Sequence, residues 1–185
     1  MHGLDNVAKW AAPEFDRLGI TYETLFNLKE VDGKNQVLKS EEGSEVKYDL
    51  LVAIPAPKGM EVIEKNGLGA GGFIPTDKVK LKMEKRDNVY VIGDTTNIPI
   101  SKAGSTVHYQ AETLGENIAA IVKLGGPVRE HDGKVFCFIE CGKDRATYAM
   151  FNYTTPPDPK PPTRAVHWFK MAYNKLYWAS ARGLL

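Results

Sequence analysis

Asn88-Val89-Tyr90-Val91-Ile92-Gly93-Asp94 is the stretch that decides the fold class of this 185-residue chain. Val89 to Ile92 is a short apolar run rich in β-branched residues, which predicts a buried strand. Gly93 lets the backbone come close to a ligand. Asp94, at the carboxyl end of the run, can accept hydrogen bonds from sugar-like hydroxyls. A glycine-containing loop follows, and then a long helical pattern from about Thr106 to Lys123. The N-terminus of that helix would point at the same place and favour negative charge there. Strand, ligand loop and helix in this order predict an α/β fold.

The rest of the chain is read outward from that stretch. Asp5 to Leu18 predicts a helix with Val7, Trp10, Ala11, Glu14 and Leu18 on one mostly apolar side, stopped by Gly19. Ile20 to Val31 and Asn35 to Lys39 predict strands joined by the turn Asp32-Gly33-Lys34. Glu41 to Val46 reads as a polar turn, and Tyr48 to Ile54 as an apolar strand that stops at Pro55-Ala56-Pro57. Gly67 to Gly72 is a glycine-rich loop, and the charged run Val79 to Asp87 reads as exposed. Gly125-Gly126-Pro127 ends the long helix. Val135 to Ile139 and Thr147 to Tyr153 predict an antiparallel pair. Thr154 to Thr163 carries five prolines and reads as a stiff extended spacer. Ala165 to Ala181 predicts a last helix, heavy in aromatics.

Composition removes several functions. The formal net charge is +1, so nothing in the balance points to nucleic acid. His2, His108, His131 and His167 show no ligand spacing, so no metal site is predicted. Cys137 and Cys141 on one strand would lie about 13 Å apart on the same face, too far for a mutual disulfide. The opening residues lack the apolar core of a secretory signal, and no run of about 20 apolar residues could span a bilayer. A G-x-G-x-x-G fingerprint between strand and helix is also missing; Gly67-Leu68-Gly69-Ala70-Gly71-Gly72 has the wrong spacing.

Four stretches carry a family resemblance. They are Tyr48-Asp49-Leu50-Leu51-Val52-Ala53-Ile54-Pro55, Gly71-Gly72-Phe73-Ile74-Pro75-Thr76-Asp77, the Gly-Asp stretch itself, and Cys137-Phe138-Ile139-Glu140-Cys141-Gly142 with its aromatic tail. Together they resemble the C-terminal part of the sulfide:quinone oxidoreductases, within the two-dinucleotide-domain flavoproteins. The resemblance covers nearly the whole chain. It implies a partial FAD/NAD(P)-binding Rossmann-like fold that lacks the N-terminal βαβ unit, plus a C-terminal β-hairpin and an aromatic helix. It divides the chain into residues 1–66, a remnant of the second nucleotide-binding domain, residues 67–126, the C-terminal part of the FAD domain, and residues 127–185, the strand pair with a membrane or dimer helix. The family's first FAD fingerprint and its other redox cysteine are absent. The chain therefore reads as a fragment that is inactive alone and holds FAD weakly or not at all.

The site residues follow from the same resemblance. Gly93 and Asp94 would meet the ribityl chain of FAD, with Gly93 keeping side-chain bulk away from the cofactor. Lys102, Ala103, Gly104 and Ser105 would lie against the isoalloxazine, with Lys102 adding positive charge. Cys137 would be the last redox cysteine, passing electrons from sulfide to the flavin; Cys141 reads as incidental. Without the resemblance, Asp94 reads as a loop or helix-capping aspartate, Lys102 as a solvated lysine, and Cys137 as a buried core cysteine.

In the tail, Trp168, Phe169, Met171, Tyr173, Leu176, Tyr177 and Trp178 accompany Arg164, Lys170, Lys175 and Arg182. Aromatic and basic side chains together suit a membrane interface, so Arg164 to Leu185 is expected to meet the membrane surface where quinone resides, on the cytoplasmic side. The same helix also suits packing in a core or a homo-oligomer. Two rival functions remain: an FAD oxidoreductase fragment that uses NAD(P)H, against which Cys137 argues, or another acceptor, and a non-catalytic dimerisation or membrane-docking module.

Overall fold

The computed structural model describes residues 4–182 and Leu184. Residues 1–3 of the expected first domain, and Gly183 and Leu185 of the tail, lie outside the described residues. The chain divides into two compact units, residues 15–57 and residues 1–14 with 58–185. The division falls within helix α1 (Leu4–Leu18).

The smaller unit is an antiparallel meander of β1 (Leu28–Asp32), β2 (Val37–Ser40) and β3 (Glu45–Lys47). Its first turn forms where the sequence predicts it. The Asp32 carboxylate accepts the backbone N–H groups of Lys34 and Asn35 and the Asn35 side-chain amide, at 3.1, 3.0 and 2.7 Å. These bonds also hold the Asp32 carboxyl below its ordinary range. The expected polar turn at 41–46 is shorter and gives way to β3, because Ser40 N–H bonds Ser44 C=O and Gly43 N–H bonds Ser40 C=O.

One expected strand forms only in its last residues, as β1, and another does not form. Residues 20–27 precede β1 as irregular chain, with Leu25 at φ 59°. Residues 48–54 have no strand neighbour and are irregular, with Leu50, Val52 and Ile54 at 83%, 83% and 95% exposure. A strand is stable only when its backbone groups find a ladder partner; Tyr48 N–H bonds Gln36 C=O and the Gln36 side chain donates to Asp49 C=O, but beyond Asp49 no backbone hydrogen bond continues a ladder among the described residues.

In the larger unit, α2 (Glu61–Lys65) leads into the glycine-rich loop. Residues 70–96 are joined by isolated bridges: Ile74 with Thr96 in parallel, and Thr76 with Met83 and Lys82 with Tyr90 antiparallel. The expected strand at Tyr90–Asp94 is thus only a bridge at Tyr90, followed by a 3₁₀ turn at Gly93–Thr95. Inside the charged run 79–87, Leu81 is almost fully buried, its N–H bonded to Asp77 C=O and its C=O to Val91 N–H. Burial of that single leucine anchors a segment that reads as solvated.

Helix α3 (Gly104–Leu124) ends at Gly125, which adopts φ 82° and donates its N–H to Ile121 C=O. The hairpin is β4 (Val135–Glu140) and β5 (Ala146–Phe151), paired from Val135 with Phe151 to Glu140 with Ala146. The proline-rich segment is no free spacer. Ala146 and Thr163 exchange backbone hydrogen bonds of 3.0 and 2.9 Å, and Thr147 Oγ1 donates to Lys160 C=O at 2.7 Å. Thr163 Oγ1 then accepts Val166 N–H at 3.2 Å and caps helix α4 (Arg164–Ala181).

Alternation along β4 sends Val135, Cys137 and Ile139 to one face, and Phe136, Phe138 and Glu140 to the other. Helix α4 docks on the second face. Phe138 meets Phe169 and Tyr173, both at 5.9 Å between ring centroids. Glu140 accepts hydrogen bonds from His167 Nδ1 and Lys170 Nζ, each at 3.0 Å. Most of the helix stays open to solvent, with Trp168 and Trp178 at 68% and 63% exposure. Among the described residues, no helix is long and apolar enough to cross a membrane.

Hydrogen bonds from His167 and Lys170 hold the Glu140 carboxyl below the usual glutamate range. A depressed native pKa contributes stability that is complete above the ordinary glutamate value and is lost as pH falls through the native one. Acidification should therefore loosen α4, and Glu140→Ala should cost about 1 kcal/mol at neutral pH, discounted for partial exposure. Fluorescence of Trp168 and Trp178 during a pH titration of both proteins checks this; identical profiles would contradict it.

Candidate functional site

The face of α3 turned inward is polar. Thr106, Gln110, Thr113 and Asn117 are buried, followed by Ala120, while Ile118 and Val122 lie outside. Their positions repeat at helical spacing, so one stripe of the helix faces the interior. Buried amides must be paired, and their partners are the loops of the site. Gln110 Oε1 accepts the Gly93 N–H at 2.7 Å. Asn117 Oδ1 accepts the N–H groups of Val128 and Arg129 at 3.0 and 2.9 Å, and its Nδ2 donates to Arg129 C=O at 2.7 Å. Ser105 Oγ accepts Phe136 N–H at 3.1 Å and ties the first turn of α3 to β4.

Gly93, Asp94, Lys102, Ala103, Gly104 and Ser105 all lie on one path from the 3₁₀ turn to the start of α3. Gly93, Asp94, Lys102, Thr106 and Gln110 share one small cleft of about 10 Å³, room for roughly one water. The Asp94 carboxylate is exposed, and no protein group among the described residues hydrogen-bonds it. Ala103 precedes the helix in extended conformation, and its C=O accepts Thr106 and Val107 N–H. The N–H groups of Gly104 and Ser105 are left without an acceptor among the described residues, as expected of a helix start.

Two expectations change in detail. Gly93 is needed for its own backbone: φ is 76°, and a Cβ there would sit 3.2 Å from Val107 Cγ2. Neighbouring protein, and not only a ligand, excludes a side chain at this position. Lys102 is exposed but tethered to the backbone. Its Nζ donates to Asp94 C=O at 2.9 Å and Thr96 C=O at 2.7 Å, and lies 4.7 Å from the centre of the Phe73 ring. Gln110, a central member of the cleft, is absent from the sequence-derived site. Its signal was the polar stripe Thr106, Gln110, Thr113, Asn117, which in an isolated sequence reads as a solvent face.

Cys137 lies on β4 opposite Ala149, on the hairpin face away from α4. It is partly buried, and burial pushes its thiol up, which disfavours the reactive thiolate. Cys141 is buried beyond the strand end, with Sγ 3.4 Å from Ile139 C=O. No disulfide joins the two. On the other face, Phe136 stacks with Tyr148 at 5.5 Å and meets Phe138 edge-on at 4.8 Å, extending the ring cluster that reaches α4. The arrangement can accept hydroxyls at Asp94, carry a thiol on the hairpin face away from α4, and present flat aromatic surface on the other face.

A thiol raised by burial should label slowly at pH 7 and accelerate well into the alkaline range. A chromogenic disulfide reagent should therefore report a Cys137 rate below that of a free model thiol. Cys137→Ser should remove the faster of the two reactive phases. Fast labelling at neutral pH would show that the thiol is activated after all.

No protein-family model matches the chain. It is 33% identical over 156 residues to the mitochondrial sulfide:quinone oxidoreductase of Dictyostelium discoideum, a match covering 81% of this chain and 33% of that protein. It is 29% identical over 136 residues to the mitochondrial sulfide:quinone oxidoreductase of Mus musculus, covering 73% of this chain and 28% of that one. The structure of the sulfide:quinone oxidoreductase from the hyperthermophilic bacterium Aquifex aeolicus superposes with a TM-score of 0.77 at 17% identity, covering 95% of this chain and 45% of that chain. The chain thus spans about a third of the length of the curated relatives it matches. In sequence it is related to sulfide:quinone oxidoreductases, and its mixed α/β fold is similar to theirs.

Proposed function

We propose, from this kinship with sulfide:quinone oxidoreductases, that the chain supplies the flavin edge, the sulfur-carrying cysteine and the quinone side of an enzyme of that type. The observation that carries the reading is the alternation along β4. It separates Cys137 from the Phe136–Phe138 ring cluster by the thickness of one hairpin, next to the start of α3. An enzyme that takes electrons from a water-soluble donor and gives them to a lipid-soluble acceptor needs such a division. FAD, when bound, would supply the two-electron relay between the two sides.

The residues fit one edge of that cofactor. Asp94 offers an unpartnered carboxylate to the ribityl hydroxyls, and the free N–H groups of Gly104 and Ser105 favour a negatively charged ring edge. Lys102 shapes the loop behind Asp94. Cys137 would be one half of a disulfide with a cysteine beyond these residues: sulfide attacks that S–S bond, one sulfur leaves as a thiolate and the other carries the persulfide, and the thiolate passes its electron pair to the flavin as oxidant; burial, which pushes the Cys137 thiol up, opposes its ionisation. The small cleft encloses no ring system, so phosphate binding is left to a βαβ unit beyond these residues. We assign residues 1–66 to the second nucleotide-binding domain, 67–126 to the FAD domain and 127–185 to the hairpin and α4. The mitochondrial relatives and the exposed rings of α4 support a peripheral site on a membrane surface, facing quinone. A second reading, a non-catalytic docking module, is favoured by the smallness of the cleft and by the burial that pushes the Cys137 thiol up.

Two measurements separate these. The chain titrated with FAD should bind it weakly, with Asp94→Ala weakening binding by about tenfold or more, as loss of a charged hydrogen-bond acceptor implies. Binding that ignores Asp94, or no binding at millimolar FAD, would favour the docking module. Vesicle co-sedimentation should depend on residues 164–185 and strengthen with anionic lipid, by roughly 1 kcal/mol for each basic residue close to the surface. Failure to sediment, with a lower melting temperature on deleting the segment, would make α4 a packing helix instead.

A further inference from the structure

We propose that Gln110 and Lys102 are positioning residues that grip the Gly93–Thr95 turn from its two ends and so set the direction of the Asp94 carboxylate. The proposal rests on the FAD reading of Asp94 and adds the residues that make that carboxylate usable. Gln110 holds the entry of the turn. It is 1% exposed, and its amide oxygen takes the Gly93 N–H. Lys102 holds the exit, where its ammonium takes the carbonyls of Asp94 and Thr96. Carbonyls at the C-terminal end of a helical turn carry partial negative charge, which a cation offsets. Gln110 thus fixes the Ile92–Gly93 peptide and Lys102 the Asp94–Thr95 peptide, so the Gly93–Asp94 stretch between them is held from both ends by side chains from α3 and from the loop before it.

The turn needs this help. Gly93 sits at φ 76°, and glycine populates such a conformation without holding it. The Gly93–Thr95 turn has no side-chain cap of its own at Ile92. Thr96 Oγ1 adds one bond, to Gly93 C=O at 3.0 Å. Without Gln110 and Lys102 the glycine could relax, and the carboxylate would sample directions useless to a polyhydroxylated ligand chain. Preorganisation of this kind raises affinity without any new contact to the ligand. It also gives Lys102 a task different from that of a bare charge beside a flavin ring, since two of its three donors are already engaged with backbone.

The test uses the full chain, first without flavin. In Gln110→Met, which keeps volume and removes the acceptor, the Gly93 amide should exchange with solvent about tenfold faster, and Gln110→Glu should restore protection. Lys102→Met should shift the backbone resonances of Asp94, Thr95 and Thr96, with Lys102→Arg shifting them less. A lysine acting only as charge on the flavin would leave the flavin-free spectrum unchanged. FAD titration should then show about tenfold weaker binding for Gln110→Met and Lys102→Met, recovered in part by Gln110→Glu. Unchanged Gly93 exchange, unmoved resonances at 94–96, or undiminished FAD affinity would overturn the proposal. If Gln110→Met does not fold, the exposed Lys102→Met decides from the other end of the turn. No FAD uptake by the unsubstituted chain would instead overturn the FAD reading, while the exchange measurement still decides the grip.

Discussion

Everything in the larger unit hangs on the requirement that the buried polar groups of α3 be paired. A helix interior usually faces a core with leucine and valine. Here the inward stripe is Thr106, Gln110, Thr113 and Asn117. Apolar contacts are tolerant of sliding, but amide hydrogen bonds are directional and fail when a partner moves by an ångström. Gln110 thus fixes the loop at Gly93, and Asn117 fixes the chain as it leaves the helix at Val128 and Arg129. Ser105 adds the strand β4. Loops and strand are registered to one rigid rod, which is the way to build a site from segments that have little core of their own.

The same registration relates the two chemistries that the site can support. Ser105 reaches the backbone of Phe136, and the next residue along is Cys137. One step of the strand therefore separates a ring of the aromatic cluster from the thiol, and the pleat sends them to opposite sides. Glu140, at the end of β4, then binds His167 and Lys170 and fixes α4 to the aromatic side. The path from Asp94 to α4 runs through side-chain and backbone contacts without passing through the charged segment 79–87.

Local signals told the truth about this fold wherever an element was self-sufficient. The long helix with Gly125 at its end, the β4–β5 pair and the aromatic last helix were all legible, because each closes its hydrogen bonds within itself or with its immediate neighbour. Residues 48–54 and 88–92 have the composition of strands and are not strands, since a strand is defined by what lies beside it. Leu81 was hidden in a charged run, and one buried leucine leaves no periodicity to detect. Within the site, Gly93, Asp94 and the segment 102–105 were legible through the motif and do lie along one path. Gln110 was not, because polar residues on a helix are by default expected to face water.

The proline-rich segment has a consequence for how the hairpin meets other chains. A two-stranded sheet exposes unpaired backbone groups along both outer edges, and such edges recruit foreign strands. Residues 160–163 lie along the outer edge of β5, where Thr163 bonds Ala146 and the Lys160 carbonyl takes the Thr147 hydroxyl. Pro159, Pro161 and Pro162 offer no N–H to a further strand. The strap therefore ends the sheet on that side: it occupies the edge while giving the next strand almost nothing to pair with. A protein that leaves the rings of α4 exposed has reason to keep the hairpin beneath them from growing into an aggregate.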